Sequence, residues 1–109
     1  MSHVTGDALR ISIGTEDNDA RVVALAGDVD FETGAAVLDC VNEVAQRGSS
    51  VVVDLTEAHF MDSAGLAALI GARRAAARSG CAFTIRNPPR LIARALALSG
   101  IDRLVDVEW

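Results

Sequence analysis

The segment Phe60-Met61-Asp62-Ser63-Ala64-Gly65-Leu66 decides how this chain is interpreted. An apolar pair leads into an Asp-Ser step, and small residues with a glycine follow, which predicts the start of a helix. The first turn of a helix has unpaired backbone N–H groups and a partial positive charge, so a hydroxyl there can cap the helix or carry a phosphate. Asp62 is the only charged residue between positions 60 and 72. Ser63 therefore either packs within an apolar stretch or belongs to a surface for a partner.

Strands and helices alternate on both sides of this segment. Apolar patterning predicts strands at residues 8–13, 21–26, 51–55, 82–85 and 104–107. Apolar residues at helical spacing predict helices from residue 32 or 33 to 47, from 63 to 78 and from 90 to 99, each followed closely by a glycine. The order β-β-α-β-α-β-α-β predicts a single α/β domain over residues 1–109, with a mostly parallel sheet packed on helices.

The charge is divided unevenly along the chain. Residues 1–62 contain 12 acids and 3 arginines, a net charge of −9, whereas residues 63–109 contain 3 acids and 7 arginines, a net charge of +4. The total of −5 argues against a nucleic-acid partner. No signal-peptide pattern opens the chain, and no apolar run approaches the ~20 residues of a membrane span. We expect a soluble, cytoplasmic protein without a membrane partner.

The parts of an enzyme site are missing, so we predict no catalytic residue. The chain has no lysine, which excludes a Schiff base, a P-loop and the lysine of a receiver domain. A nucleophile elbow at Ser63 would need a glycine where Met61 stands. His3 and His59 are the only histidines, and nothing in the sequence orients either as a base.

The sequence also raises two other kinds of site, a metal site and a regulatory disulfide. Asp28, Asp30, Asp54 and Asp62 fall near predicted strand ends and could form a magnesium-binding rim, or they could shape turns and caps. Because no tight ligand spacing appears, we expect no metal and no cofactor. Cys40 and Cys81 are 41 positions apart, and they are either two reduced thiols or a regulatory disulfide.

Ser63 has two interpretations on physical grounds. As an N-cap it would only stabilise the helix. As a phosphorylation site it would gain about −1.5 to −2 charges, which would repel a partner docked on Met61, Ala64, Gly65 and Leu66. Gly65 and Gly71 each cost ~1 kcal/mol relative to Ala inside a helix. They therefore indicate either close packing or a smooth face for a partner.

Together with three further segments, the Ser63 segment resembles the bacterial anti-sigma factor antagonists, which are small stand-alone STAS domains. It is similar to the family's phosphorylation-site signature, with Ala64 where many members have a second Ser or Thr. The further segments match in order along the chain: Gly27-Asp28-Val29-Asp30, Val51-Val52-Val53-Asp54-Leu55 and Leu98-Ser99-Gly100-Ile101. The resemblance covers about residues 8–107.

The resemblance implies a fold and a mechanism. The fold is a mixed sheet of four to five strands with three to four helices packed mainly on one face. The mechanism is partner switching: the unmodified protein binds an anti-sigma factor with serine kinase activity and so releases a sigma factor. Phosphorylation at Ser63, beside Asp62 and near Asp28 and Asp30, ends the complex, and a phosphatase resets it. The alternative is a constitutive STAS subunit of a transporter or signalling scaffold, without a phosphorylation switch.

Overall fold

The computed structural model describes residues 2–4, 8–16 and 18–109, and for residues 2–4 the backbone only. The strands are β1 (Ser2–Val4), β2 (Leu9–Thr15), β3 (Arg21–Val29), β4 (Val51–Met61), β5 (Phe83–Arg86) and β6 (Asp106–Glu108). The helices are α1 (Gly34–Gln46), α2 (Ser63–Arg78) and α3 (Arg90–Ser99), and a 3₁₀ turn follows at Ile101–Arg103. None of the helices in these ranges is long and apolar enough to cross a membrane.

The six strands form one mixed sheet in the order β1-β2-β3-β4-β5-β6. The pairs β1–β2 and β2–β3 are antiparallel, and the pairs from β3 to β6 are parallel. The predicted fold class, with its five strands and three helices, is confirmed. The structure adds β1 at the edge, which patterning missed because three residues are too few to establish a period of two.

The helices pack against one face of the sheet. Inward side chains of the strands, such as Leu25, Val53 and Ile85, join Leu69 of α2 and Leu96 of α3 in a single buried cluster. The other face carries polar and small residues, among them Arg10, Ser12, Ala24, Asp54 and Thr56, which line a shallow trough. We call this second side of the sheet the open face.

Strand β4 is more than twice as long as predicted, because it runs on to Met61 instead of ending near residue 55. Its pairing with β3 shifts register twice, between Ala24 and Ala26 and between Gly27 and Asp28. Strict alternation from Leu55 would turn Glu57 and His59 towards the core. Each bulge places an extra residue on β4, so that Ala58 is buried and both polar side chains are exposed.

Helices α1 and α2 pack closely at two glycines. A Cβ atom on Gly34 would lie 3.2 Å from the Cβ of Ala68, and one on Gly71 would lie 3.3 Å from a methyl of Leu38. Gly71 therefore serves helix packing and not a partner face.

An ion-pair cluster joins distant parts of the sheet. The Arg86 Nη1 atom donates to Glu16 Oε1 at 2.5 Å, and its Nε atom donates to Glu108 Oε1 at 3.1 Å. The hydrogen bond from Arg86 lowers the pKa of Glu16, and the two carboxylates raise the pKa of Arg86. The cluster ties the β2–β3 turn to β5 and β6.

Candidate functional site

The structure gives Asp62 and Ser63 different roles, although on the sequence alone either residue could cap α2. Asp62 is the N-cap of α2: its backbone is extended, and its Oδ1 accepts a hydrogen bond from the Gly65 N–H at 2.9 Å. Ser63 is the first helical residue and is exposed. No residue in the described part of the chain hydrogen-bonds to its hydroxyl. The interpretation of Ser63 as the helix cap is therefore wrong, because Asp62 already satisfies the amide that a cap serves.

Gly65 presses the first turn of α2 onto the end of β3. A Cβ atom on Gly65 would lie 2.2 Å from the Val29 carbonyl oxygen and 2.7 Å from Met61 Cγ. The Asp62 N–H also points to the Val29 oxygen, at 3.4 Å. The ~1 kcal/mol that a glycine costs in a helix is smaller than the cost of overlapping a backbone atom, so close approach explains this glycine. The contact fixes the position of Ser63 relative to the sheet.

The loop after β3 is held by Thr33, which is only 2% exposed. Its hydroxyl donates to the Asp28 carbonyl oxygen at 2.8 Å and accepts from the Asp30 N–H at 2.9 Å. Asp30 Oδ1 in turn accepts from the Glu32 N–H at 2.9 Å and the Thr33 N–H at 3.2 Å. Asp30 is thus a turn-forming residue that sets the shape of the loop beside Ser63.

The four aspartates of the predicted rim do not converge. Asp28 lines a polar hollow of about 500 Å³ on the open face with Arg10, Glu57 and His59. Asp54 accepts hydrogen bonds from Thr56, and Asp30 and Asp62 bind nearby backbone amides. The described residues contain no cluster of three or more potential metal ligands. Asp30 therefore acts in its turn and Asp62 in its cap, while Asp54 binds Thr56 within β4.

Two exposed aromatic side chains, of which the sequence reasoning missed Phe31, lie at the same end of the paired strands β3 and β4 as the serine. Phe31 is 85% exposed and Phe60 is 50% exposed. Val29 and Met61 are register partners, so Phe31 and Ser63 each lie two residues beyond the same point of the sheet. The sequence did contain a signal for Phe31. It is a large apolar residue in the turn Asp30–Thr33, and the hydrogen bonds of that turn do not use its side chain. We call Phe31, Glu32, Phe60, Asp62 and Ser63 the Ser63 surface.

The residues predicted to contact a partner divide into two groups. Two are buried, Met61 and Gly65, and the others are exposed or half-buried, namely Asp28, Asp30, Asp62, Ser63, Ala64 and Leu66. Met61 belongs to the core cluster, and Leu66 packs partly against it. Met61 and Gly65 therefore support the Ser63 surface from beneath.

Both cysteines are free thiols. Cys40 is buried within α1, and its burial raises the pKa of the thiol. The Cys81 thiol points to the Ala45 carbonyl oxygen at 3.5 Å. The two thiols are not joined and Cys40 is buried, so the structure adds no support to the redox hypothesis.

Comparisons with known proteins show the family and the fold of the chain. A family model described as "Mlab, STAS domain" matches residues 13–106. The anti-sigma-B factor antagonist of Bacillus subtilis (strain 168) is 20% identical over 99 residues, which cover 91% of this chain and 90% of that protein.

Solved structures share the fold. An anti-sigma factor antagonist from Mycobacterium paratuberculosis has a TM-score of 0.81 at 20% identity, covering 99% of this chain and 90% of that one. The Bacillus cell fate determinant SpoIIAA in its phosphorylated form has a TM-score of 0.68 at 16% identity, covering 91% of each chain. The family match spans most of the chain, and the chain belongs to the STAS domain family.

Proposed function

We propose that this protein is an anti-sigma factor antagonist whose binding surface is switched off by phosphorylation at Ser63. The unmodified Ser63 surface binds an anti-sigma factor with serine kinase activity, and a sigma factor is released. A phosphatase restores the unmodified state. All of this takes place in the cytoplasm, and the antagonist itself catalyses no reaction.

The observation that carries the proposal is the exposed Ser63 hydroxyl at the first residue of α2, which has no hydrogen-bond partner among the described residues. Because Asp62 caps the helix, a kinase can modify Ser63 without removing a hydrogen bond that holds the fold. A phosphate at this position lies at the positive end of the helix dipole, which tolerates its charge. The fold can therefore accept both states of the serine.

The same position explains how a phosphate would end a complex. The Ser63 surface presents Phe31 and Phe60 for apolar contact, with Glu32 and Asp62 beside them. Phosphorylation adds about −1.5 to −2 charges next to Asp62 and brings a bulky, strongly hydrated group beside the apolar side chains. Apolar contact would be lost and an acidic partner surface repelled.

Relatives are consistent with this mechanism. Curated relatives of nearly equal length are anti-sigma-B factor antagonists. SpoIIAA is described as an anti-sigma factor antagonist, with structures of its unphosphorylated and phosphorylated forms. We carry the switch over to Ser63 because it occupies the exposed start of α2.

The direct experiment incubates the protein with its cognate anti-sigma kinase and ATP and maps the phosphate by mass spectrometry. We expect a single phosphate on Ser63, and none on the Ser63→Ala variant. Ser63→Ala should bind the anti-sigma factor and stay bound in ATP, whereas Ser63→Glu should bind more weakly. Ser79→Ala is a matched control, because Ser79 is exposed at the other end of α2.

The same variants distinguish the proposed switch from the alternative function. A constitutive assembly subunit would co-purify with a transporter ATPase or scaffold, and its Ser63→Ala and Ser63→Glu variants would bind that partner equally well. Modification at another residue, or no modification by the cognate kinase, would contradict the proposed switch.

A further inference from the structure

Helix α3 presents two leucines that the fold does not use. Leu91 and Leu98 are each 79% exposed. They are seven positions apart, about two helical turns, and so lie on the same side of the helix. Ile92 and Leu96 on the other side attach α3 to the core. The exposed leucines therefore form an apolar stripe with no role inside the domain.

The stripe is flanked by arginines. Arg90 and Arg94 are exposed, and Arg94 lies between the two leucines on the helix surface. Within the described part of the chain neither arginine forms an ion pair or hydrogen bond, unlike Arg86. We call Arg90, Leu91, Arg94 and Leu98 the α3 surface. Its positive charge disfavours pairing of two α3 helices and favours an acidic partner with exposed apolar groups.

The chain itself contains a surface of that kind. The Ser63 surface combines two exposed phenylalanines with Glu32 and Asp62, and Asp28 is the register partner of Phe60. It contains no arginine. We propose that the α3 surface of one copy docks on the Ser63 surface of a second copy, in a head-to-tail contact between its basic leucine stripe and the acidic aromatic patch.

The proposed contact determines how large the assembly can grow and which partners it excludes. The two patches are different, so the contact is heterologous and can extend to rings or chains. Each patch is small, so the association is weak and transient. The contact covers Ser63 and competes with any other partner of that surface. It needs no phosphate, and so it stands or falls separately from the proposed switch.

Sedimentation equilibrium of the full chain tests the contact. We expect association that increases with protein concentration and weakens about tenfold between about 50 mM and about 500 mM NaCl, since opposite charges attract across it. Two double variants block one surface each: Arg94→Glu/Leu98→Gln on α3, and Phe31→Ser/Glu32→Arg beside Ser63. Each should be monomeric alone. All four residues are exposed, and circular dichroism melting should give unchanged transitions.

Mixing the two blocked variants is the decisive step. The first keeps an intact Ser63 surface and the second an intact α3 surface, so an equimolar mixture should form a dimer that does not grow further. Arg78→Glu is the matched control for Arg94→Glu. It makes the same charge change at an exposed position of α2, and this variant should associate as the wild type does.

Three results would overturn the proposal. A wild-type protein that stays monomeric at all concentrations and at both salt levels has no such contact. Association that salt strengthens, with no dimer in the mixture of variants, indicates apolar pairing of two α3 helices. Binding to phosphatidylglycerol vesicles that is lost in the α3 variant, without self-association, assigns the α3 surface to a membrane.

Discussion

The starts of α2 and α3 follow neighbouring parallel strands, yet they are held in different ways. Asp62 alone joins β4 to α2, caps the helix through its side chain and lies beside the tight contact of Gly65 with Val29. Three residues join β5 to α3, whose cap position is Pro89, with no side-chain hydrogen bond. The strand before α3 is instead tied by the ion pairs of Arg86.

This difference separates a tightly held helix start from a helix with an exposed apolar side. Packing and a cap position the start of α2 tightly, so the hydroxyl of Ser63, the proposed phosphorylation site, is held at a defined place. Helix α3 is held mainly by Ile92 and Leu96 and exposes an apolar, basic side. The contrast predicts that the α2 start responds most strongly to changes of shape, and the strand before α3 to changes of charge.

The largest effect is expected for Gly65→Ala. The new methyl would overlap the Val29 carbonyl oxygen, a backbone atom that cannot move aside, and we expect a loss of about 3 kcal/mol in the free energy of unfolding by urea. Gly71→Ala is the control, since its Cβ meets only the flexible Leu38 side chain, at 3.3 Å, and helix propensity favours Ala. Equal losses in the two variants would refute the role assigned to Gly65.

A smaller effect is expected from removing the cap of α2. Asp62→Ala should lose about 1 kcal/mol of stability, because the Gly65 N–H loses its acceptor. Asp62→Asn should retain most of this stability, since Asn is a good cap. Ser63→Ala should change stability by less than about 0.5 kcal/mol, as is usual for an exposed residue without partners. A larger loss for Ser63→Ala than for Asp62→Ala would reverse the assignment of the cap.

The smallest effect concerns pH and the strand before α3. The pKa of Glu16 is lowered in the folded state by the hydrogen bond from Arg86. The pair therefore stabilises the fold above the unfolded-state pKa near 4.5, and its contribution is lost as pH falls through the lower, folded value. Urea unfolding between about pH 6 and pH 3 should show a shallower acid loss for Glu16→Gln than for the wild type.

The control for this effect is Glu43→Gln. Glu43 forms an exposed ion pair with Arg47 one turn along α1, and the wild-type pH dependence should persist in this variant. An unchanged acid profile in Glu16→Gln would mean that the ion pair contributes nothing to the stability of the fold.

Local patterns predicted most of the architecture. The bounds of α2 and α3 agree with the periodicity of their apolar residues and with the glycines that follow them. The extension of β4 to Met61 was missed, because its two bulges break the alternation on which strand prediction depends. The link between Glu16 and Arg86 was missed as well, since 70 positions separate the two residues and no pattern marks the pair.

The sequence predicted where the candidate site lies, but not which residue caps the helix and which exposes its side chain. The Asp-Ser step marked the helix start, and the sequence left either residue free to cap it. The choice depends on backbone angles: Asp62 is extended and Ser63 is helical, so only Asp62 can reach the Gly65 amide in the manner of a cap. The high exposure of Phe31 follows only from the folded structure.

The sequence by itself determined the order of strands and helices, the uneven charge and the location of the Ser63 segment, because these depend on periodicity and composition over short windows. Only the tertiary structure decided that Gly65 is packed against Val29, that Asp28 lies on the open face of the sheet, and that Phe31 and Ser63 follow paired ends of β3 and β4. Those facts depend on which strands become neighbours and in which register. Contacts between residues far apart along the chain leave no local period from which to infer them.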